Sequence, residues 1–382
     1  MSSLTMTPIL LLSLPVVLSA FQRGSVEKAG LRLEKLEAAR QLLRKEVESG
    51  SVGAAAWLVA RNGVIVIEEG LGRLSRAKDA AVCQADSVFL VASITKPVTA
   101  IALMRLVQQE RVRLEDPVQK YLPEFKGGQR DQVTIRQLLS HTSGLPDMLP
   151  ENIELRRRHA PLREFVLTSL RTPLLFTPGS KVSYQSMGIL LASEIVERLT
   201  GRPFREYVRD EVLIPLKMSG SSLGLGGRSI DQTVICDVPQ QGELKMSDQD
   251  RSWDWNSRYW RDLGAPWGGL HSTVGDIGRL LQATLDGGSP VLKRPLTEEM
   301  LRNQNSGLEK AWGLGWSLGP DRFVEGSTPA TFGHNGATGT LCWADPSRNL
   351  IFVAFTNRAE ANDKTQLLRR LSKLVSDAAD LP

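Results

Sequence analysis

One stretch of this 382-residue chain, residues 86–110, constrains its fold more than any other. An apolar run at 88–92 leads to Ser93, and the segment after it is apolar on nearly every face of a helix, which is typical of a central, buried helix. Pro97 fits the first turn of such a helix, where its missing N–H loses no helical partner. The sequence therefore predicts a core helix whose first turn, with its free N–H groups, lies beside Ser93.

Lys96 follows Ser93 by three residues, which places the amine and the hydroxyl on one face if this turn is helical. A serine hydroxyl needs a neighbouring base to become a nucleophile, and a partly desolvated lysine can provide one. The same Ser-x-x-Lys spacing occurs at 25–28 and 75–78, in polar, loop-like segments. Because the third pair opens a buried helix, we predict that Ser93 is the nucleophile; the structural alternative is a serine that caps the helix.

The composition is that of an ordinary globular protein, with 41% hydrophobic and 23% charged residues. The net charge is +5, but the basic residues are scattered, and the one tight cluster, at 156–158, is typical of a solvated helix face. The cysteines Cys83, Cys236 and Cys342 fit neither a disulfide framework nor a metal spacing. We therefore expect no nucleic-acid partner and no metal site.

The first 20 residues contain a mostly apolar run at 9–20, and no charged side chain precedes Arg23. This run resembles the hydrophobic region of a secretory signal, and it is shorter than the ~20 apolar residues that span a membrane. We therefore predict a signal peptide at 1–20, a mature chain that begins between residues 19 and 25 without a membrane span, and export to the periplasm or the medium. The alternative is a disordered tail on a cytoplasmic protein.

The order of the predicted elements indicates an α+β fold. Asn62-Gly63, between two β-rich runs, is a strong hairpin signal, and amphipathic or loop-like segments fill the middle of the chain. The predicted strands lie at 54–60, 64–68, 312–318, 330–333, 339–344 and 350–356, and the flanking helices at 31–47 and 365–378. Strands from both chain ends should therefore meet in one antiparallel sheet.

This arrangement predicts a single catalytic domain at 21–382. An α/β lobe, about 30–98 and 290–382, carries the sheet, and a mostly helical lobe spans about 99–289. A site is expected in the cleft between the two lobes.

Further groups that such a site needs can be found along the chain. Tyr184 follows a tight Pro-Gly turn and precedes a helix, so it is a candidate proton relay, with packing at a loop–helix junction as the alternative. The glycine-rich stretch 333–339 can present backbone N–H groups to an oxyanion, although a simple hairpin turn explains it too. Trp267 belongs to an aromatic-rich segment that fits either the core or the wall of the cleft. We assign no chemistry to the histidines at 141, 159 and 271.

Three of these motifs, in this order, resemble the serine β-lactamase and penicillin-binding protein superfamily. They are Ser-Ile-Thr-Lys at 93–96, Tyr-Gln-Ser at 184–186, where the family has Tyr-x-Asn, and His-Asn-Gly at 334–336, a variant of Lys-Thr-Gly. Linking stretches at 134–147, 178–201, 263–273 and 333–340 look similar too, so the resemblance covers about 30–375. It is closest to the class C β-lactamase-like branch, which includes esterases, D-aminopeptidases and DD-carboxypeptidases.

The resemblance implies a β-lactamase/transpeptidase-like fold and a hydrolase that works through an acyl-enzyme, without a metal or an organic cofactor. Ser93 would attack an ester, amide or peptide carbonyl, and Lys96 and Tyr184 would share the proton transfers. The backbone N–H groups of Ser93 and Ala337 would hold the oxyanion. The substrate-binding residues would be Ser186, His334, Gly336 and Trp267.

Two departures from the family pattern bear on the substrate. Ser186 replaces an asparagine whose amide would contact both the lysine and the substrate, and His334 replaces a lysine that binds substrate carboxylates. We therefore predict an esterase or D-peptidase-like enzyme with weak β-lactamase activity. The alternatives are a true class C-type β-lactamase, a DD-carboxypeptidase, or a non-catalytic member that uses the cleft for binding. The sequence does not indicate an oligomeric state.

Overall fold

The computed structural model describes residues 21–238, 252–319, 323, 327–359 and 366–379. The predicted signal peptide lies outside these residues, so the compartment stays a prediction.

The strands confirm the predicted sheet. In chain order they are β1 (Gln22–Arg23), β2 (Ala54–Arg61), β3 (Val64–Gly72), β4 (Phe89–Leu90), β5 (Ser222–Leu223), β6 (Leu270–Ser272), β7 (Ser317–Leu318), β8 (Phe332–Gly336), β9 (Thr340–Asp345) and β10 (Leu350–Thr356). Seven of them form one sheet in the order β1-β3-β2-β10-β9-β8-β7, and β4, β6 and β5 form a smaller one. All neighbours in the large sheet are antiparallel except β1 and β3. The two chain ends therefore meet where β2 pairs with β10.

The hairpin between β2 and β3 forms as its sequence predicts. Asn62 and Gly63 have φ angles of 53° and 75°, which a two-residue hairpin turn of this kind requires and which these two residue types tolerate best. The strand predicted at 312–318 is shorter than expected. Gly315 has a φ of 78°, and Trp312 bridges back to Ser317, so the segment turns before β7 begins.

Helices cover both faces of the large sheet and build the middle of the chain. They are α1 (Leu33–Glu48), α2 (Thr95–Gln108), α3 (Ile135–Leu139), α4 (Asn152–Arg157), α5 (Leu162–Ser169), α6 (Met187–Thr200), α7 (Phe204–Val208), α8 (Arg258–Leu263), α9 (Val274–Leu285), α10 (Arg294–Leu301) and α11 (Leu367–Ala379). A π-helical turn, Arg209–Leu213, continues α7. Among the described residues, no helix is both long and apolar enough to cross a membrane.

Two apolar layers hold the sheet. On one face, α1 and α11 pack over Trp57 and Trp343, and the Trp343 indole N–H donates to Ser372 Oγ at 2.7 Å. On the other face, a continuous core runs from the sheet through α2 into the helical region. Each large apolar side chain buried in these layers stabilises the fold by about 1.5–3 kcal/mol. The division into two lobes stays a prediction, since one core spans both.

The helix predicted to be central is buried as expected. In α2, every residue from Thr95 to Leu106 except Arg105 is buried. The helix packs against α6 and the π-helical turn, and Gly315 approaches it so closely that an added Cβ would lie 2.5 Å from Ala100 Cβ. The N-terminal end of α2 is thereby fixed relative to the sheet.

Candidate active site

Ser93 lies in a short 3₁₀ turn, Ala92–Ile94, between β4 and α2. Ala92 has a φ of 46°, a left-handed backbone conformation that costs a non-glycine residue about 1–2 kcal/mol. The turn is held by Thr95, whose hydroxyl donates to Ala92 O at 2.6 Å and accepts from Leu270 N–H at 2.9 Å. Ser93 itself is partly exposed, so a substrate can reach its hydroxyl.

Lys96 is fully buried one turn beyond the serine. Its Nζ donates to Ser93 Oγ at 2.9 Å and to the carbonyl oxygen of Trp267 at 3.0 Å. Burial lowers the pKa of Lys96 to about 7, although the negative charge of Asp147 acts in the opposite direction. At neutral pH a large fraction of this amine is therefore uncharged and able to take the proton of the Ser93 hydroxyl.

The two other Ser-x-x-Lys pairs have no such geometry. Ser25 Oγ accepts from Lys28 N–H at 3.3 Å, and Ser75 Oγ accepts from Ala77 N–H at 3.2 Å, so both hydroxyls stabilise local turns. Both lysines, at 28 and 78, are exposed. Of the three pairs, only that of Ser93 joins hydroxyl and amine.

Tyr184 lies against the same lysine, with Lys96 Nζ 4.6 Å from the centre of its ring. The segment around it is fixed by His141, which sequence reasoning left without a role. The His141 ring lies 4.8 Å from the Tyr184 ring, its Nδ1 accepts from Gln185 N–H at 3.1 Å, and its carbonyl accepts from Ser183 N–H at 2.9 Å. His141 thus holds the residues on both sides of Tyr184. The family-like stretch 134–147 was the signal that could have identified it.

The turn between β8 and β9 packs against the residues that precede Ser93. Thr338 Oγ1 donates to Leu90 O at 2.6 Å, and Thr340 Oγ1 donates to Val91 O at 3.0 Å. At Gly336, an added Cβ would lie 2.3 Å from Val91 O, so only glycine permits this approach. Ala337 is exposed in the turn that follows. The turn with Ala337, the candidate oxyanion donor, is thus held against the residues that precede Ser93.

His334 is buried in β8 and belongs to an aromatic cluster beside the site. Its ring centre is 6.0 Å from that of Tyr184 and 5.8 Å from that of Trp312, and its Nδ1 lies 2.6 Å from Asn335 O. The structure therefore brings His334 and Tyr184 together, as the sequence predicts.

Ser186 has a partner that sequence reasoning did not foresee. It is 1% exposed, and its hydroxyl donates to Asp147 Oδ1 at 2.6 Å. Its N–H also donates to Asp147 O, at 3.3 Å. The hydroxyl that stands in place of the family's asparagine thus orients a carboxylate. Asp147 too lies within the stretch 134–147.

Trp267, for which the sequence leaves the core and the wall of the cleft both open, has its ring in the core. Its ring is 2% exposed and packs against Trp260 and Phe165, with ring centres 6.3 Å and 5.9 Å away. The part of this residue that reaches the site is its backbone carbonyl, which accepts the hydrogen bond from Lys96.

Comparison with known proteins agrees with this geometry. The sequence model of the Beta-lactamase family matches residues 39–376. A protein of Escherichia coli O157:H7 named D-alanyl-D-alanine carboxypeptidase is 26% identical over 370 residues, which cover 88% of this chain and 85% of the relative.

Two solved structures show the same fold. One is EstCE1, described as a hydrolase with promiscuous acyltransferase activity (TM-score 0.74, 19% identity, 90% of this chain and 99% of that one). The other is the D-amino acid amidase from Ochrobactrum anthropi SV3 (TM-score 0.69, 21% identity, 90% of this chain and 99% of that one). With its family model matched over most of its length, the chain belongs to the beta-lactamase family, within the superfamily of serine β-lactamases and penicillin-binding proteins.

Proposed function

We propose that this beta-lactamase-family hydrolase cleaves a small ester or amide through an acyl-enzyme on Ser93. The observation that carries the proposal is the hydrogen bond of 2.9 Å between Ser93 Oγ and the fully buried Lys96. A desolvated amine with a pKa of about 7 is matched to general-base work at neutral pH. The names of the compared hydrolase, amidase and carboxypeptidase support the same reaction class.

In the acylation step, Ser93 Oγ forms a bond to the carbonyl carbon while its proton passes to the uncharged amine of Lys96. The carbonyl oxygen becomes an oxyanion, which the N–H groups of Ser93 and Ala337 stabilise. When the bond to the leaving group breaks, that group takes a proton from Lys96, directly or through the Tyr184 hydroxyl. The contact of the Tyr184 ring with Lys96 Nζ, whose distance to the ring centre is 4.6 Å, supports this relay.

In the deacylation step, water attacks the acyl carbon and gives its proton to the same base. The bond to Ser93 Oγ breaks, the acid leaves, and the hydroxyl regains a proton. Each group ends in its starting state, so the cycle needs no additional reactant.

The residues at 186 and 334 favour esters over β-lactams. Ser186 has no side-chain amide for a substrate, and its hydroxyl donates to Asp147 instead. His334 lacks the permanent charge of a lysine. Losing one charge-assisted contact costs about 1.5–3 kcal/mol, or about one to two powers of ten in rate constant. Activated esters need neither contact, and their leaving groups depart more readily.

The nucleophile is tested by labelling with a fluorophosphonate probe and locating the adduct by mass spectrometry. The label should map to Ser93, and Ser93→Ala should lose both labelling and turnover while unfolding at the same temperature. Ser75→Ala, which removes the hydroxyl of a pair with the same spacing, is the matched control and should label normally. An adduct on Ser25 or Ser75, or no adduct on the folded protein, would contradict the proposal and favour a binding member of the family.

The substrate preference is tested on one preparation, with short-chain p-nitrophenyl esters, penicillins, cephalosporins and a D-alanyl-D-alanine peptide. We expect kcat/KM for the esters to be at least about tenfold higher than for any β-lactam. Efficient β-lactam turnover beside negligible esterase activity would show that positions 186 and 334 do not set the preference.

We further propose that the chain is exported after removal of its signal peptide. The apolar run at 9–20, which has the length of the hydrophobic region of a secretory signal, supports this proposal. N-terminal sequencing of protein from its native host should give a start between residues 19 and 25. An intact Met1 in a cytoplasmic fraction would contradict it.

A further inference from the structure

Asp147 places a carboxylate beside the proposed catalytic groups. Its side chain is exposed, and its Oδ1 accepts the hydrogen bond from the buried Ser186 hydroxyl. Ser186 follows Tyr184 by two residues, and Tyr184 lies against Lys96. A second bond, from Ser186 N–H to Asp147 O, fixes the backbone as well. The carboxylate is therefore held in a set orientation, close enough to Lys96 to affect its pKa, and its exposure lets solvent and ligands reach it.

Among the residues that the structure describes, no cationic side chain contacts this carboxylate directly. In the described parts of the chain, no lysine, arginine or histidine forms an ion pair with Asp147, and the hydrogen bond to its carboxylate reaches Oδ1, not Oδ2. Lys96 is close enough for its pKa to be raised by Asp147, but burial dominates, so Lys96 is only partly charged at neutral pH. His334 stands where a lysine would add a permanent positive charge.

We propose that Asp147 is a specificity-determining residue that binds a protonated amine carried next to the scissile carbonyl of the substrate. This inference rests on the proposed hydrolase function and names the class of its substrates. A carboxylate fixed by one hydrogen bond needs little reorganisation to accept another from an ammonium group. A substrate with a carboxylate in the same place would meet a like charge and bind less well.

The test compares p-nitrophenyl esters that differ in one group. β-Alanyl and butyryl esters have the same number of heavy atoms, with an ammonium in place of a methyl group, and a hemisuccinyl ester carries a carboxylate. 2-(Dimethylamino)ethyl butyrate, whose amine is protonated at neutral pH and keeps one N–H donor, and its uncharged isostere, 3-methylbutyl butyrate, place the cation on the leaving group instead. The readout is the ratio of kcat/KM between the charged ester and its uncharged partner, after subtraction of spontaneous hydrolysis.

The variant is Asp147→Asn, whose amide oxygen can still accept from Ser186. It also changes the electrostatic environment of Lys96, but this affects all esters alike and cancels in the ratio. We expect the ratio of kcat/KM between the cationic and the uncharged ester to fall about tenfold, either for the acyl-group pair or for the leaving-group pair. The kcat/KM of the hemisuccinyl ester should rise. Glu151→Gln, an exposed carboxylate four residues further on, is the matched control and should leave the ratios unchanged.

The outcomes separate the two claims. If wild-type protein hydrolyses the butyryl ester while Asp147→Asn leaves the kcat/KM ratios of both ester pairs unchanged, the proposed role of Asp147 is wrong and the hydrolase function stands. An equal fall of the ratio in Glu151→Gln would also overturn the role of Asp147, because the overall negative charge of this surface would then explain the effect. If none of the esters is hydrolysed, the proposed function itself fails.

Discussion

Replacing Lys96 by methionine should remove activity and make the folded protein more stable at neutral pH. Burial lowers the pKa of Lys96 from 10.5 to about 7, so between these values the unfolded chain binds more protons at this position than the folded protein. The free energy of unfolding must therefore decrease as the pH falls through this window. Methionine binds no proton and fills a similar volume.

The magnitude follows from the pKa difference of about 3.5 units, at about 1.4 kcal/mol for each unit. The buried amine destabilises the folded protein by about 4 kcal/mol at pH 7 and by about 1 kcal/mol at pH 9.5. The substitution removes the two hydrogen bonds of Lys96 Nζ and leaves the Trp267 carbonyl without its donor. These losses lower the free energy of unfolding by about 1–3 kcal/mol in all, and they change little with pH. The stability of the variant relative to wild type should thus be about 3 kcal/mol higher at pH 7 than at pH 9.5.

Urea unfolding followed by circular dichroism at both pH values measures this difference. Other titrating groups occur in both proteins and cancel in the comparison. Lys78→Met, at the exposed lysine of another Ser-x-x-Lys pair, is the matched control and should show no such pH dependence. A Lys96→Met variant whose relative stability is the same at both pH values would refute the claim that burial, rather than an ion pair, sets the pKa of this lysine.

Three further predictions concern activity and stability. The pH profile of kcat/KM should rise with an apparent pKa of about 7, because protonated Lys96 cannot act as a base; a flat profile from about pH 5.5 to pH 8.5 would contradict this. Gly336→Ala should lower kcat at least about 100-fold, since its Cβ would displace the turn from Val91 O, and the loss is read from initial rates. Asn357→Ala should lower the free energy of unfolding by about 2–3 kcal/mol in urea, because the Asn357 side-chain oxygen accepts from Gly53 and Ala54 N–H groups.

The sequence predicts those parts of the fold that depend on local pattern. The hairpin at Asn62-Gly63 forms because those residues accept positive φ angles, and α6 and β10 have the predicted limits because their apolar runs end at clear stop signals. The strand at 312–318 is mostly absent because Gly315 turns the chain to fit closely against α2, a tertiary contact that apolar periodicity does not report.

In the candidate site, too, the features set by local sequence could be predicted and those set by tertiary contacts could not. The pairing of Ser93 with Lys96 could be predicted, because both residues lie on one helical turn. The roles of His141 and Asp147 could not, because each acts on a segment about 40 residues further along the chain, through contacts with Gln185 and Ser186. The resemblance points to Trp267 as a substrate-binding residue, whereas the structure brings its carbonyl to Lys96. Sequence pattern says little about which carbonyl a buried lysine will reach.

The pairing of β2 with β10 has a consequence for how the protein is made. These neighbours in the sheet are almost 300 residues apart in sequence, and the hydroxyls that hold the residues before Ser93 come from Thr338 and Thr340. A chain emerging from the ribosome exposes Ser93 and Lys96 long before it contains these partners. Ser93, the proposed nucleophile, can therefore be oriented only after synthesis is nearly complete, and such distant contacts slow folding. Chains that stop before β8 carry the Ser-x-x-Lys pair but cannot hydrolyse anything.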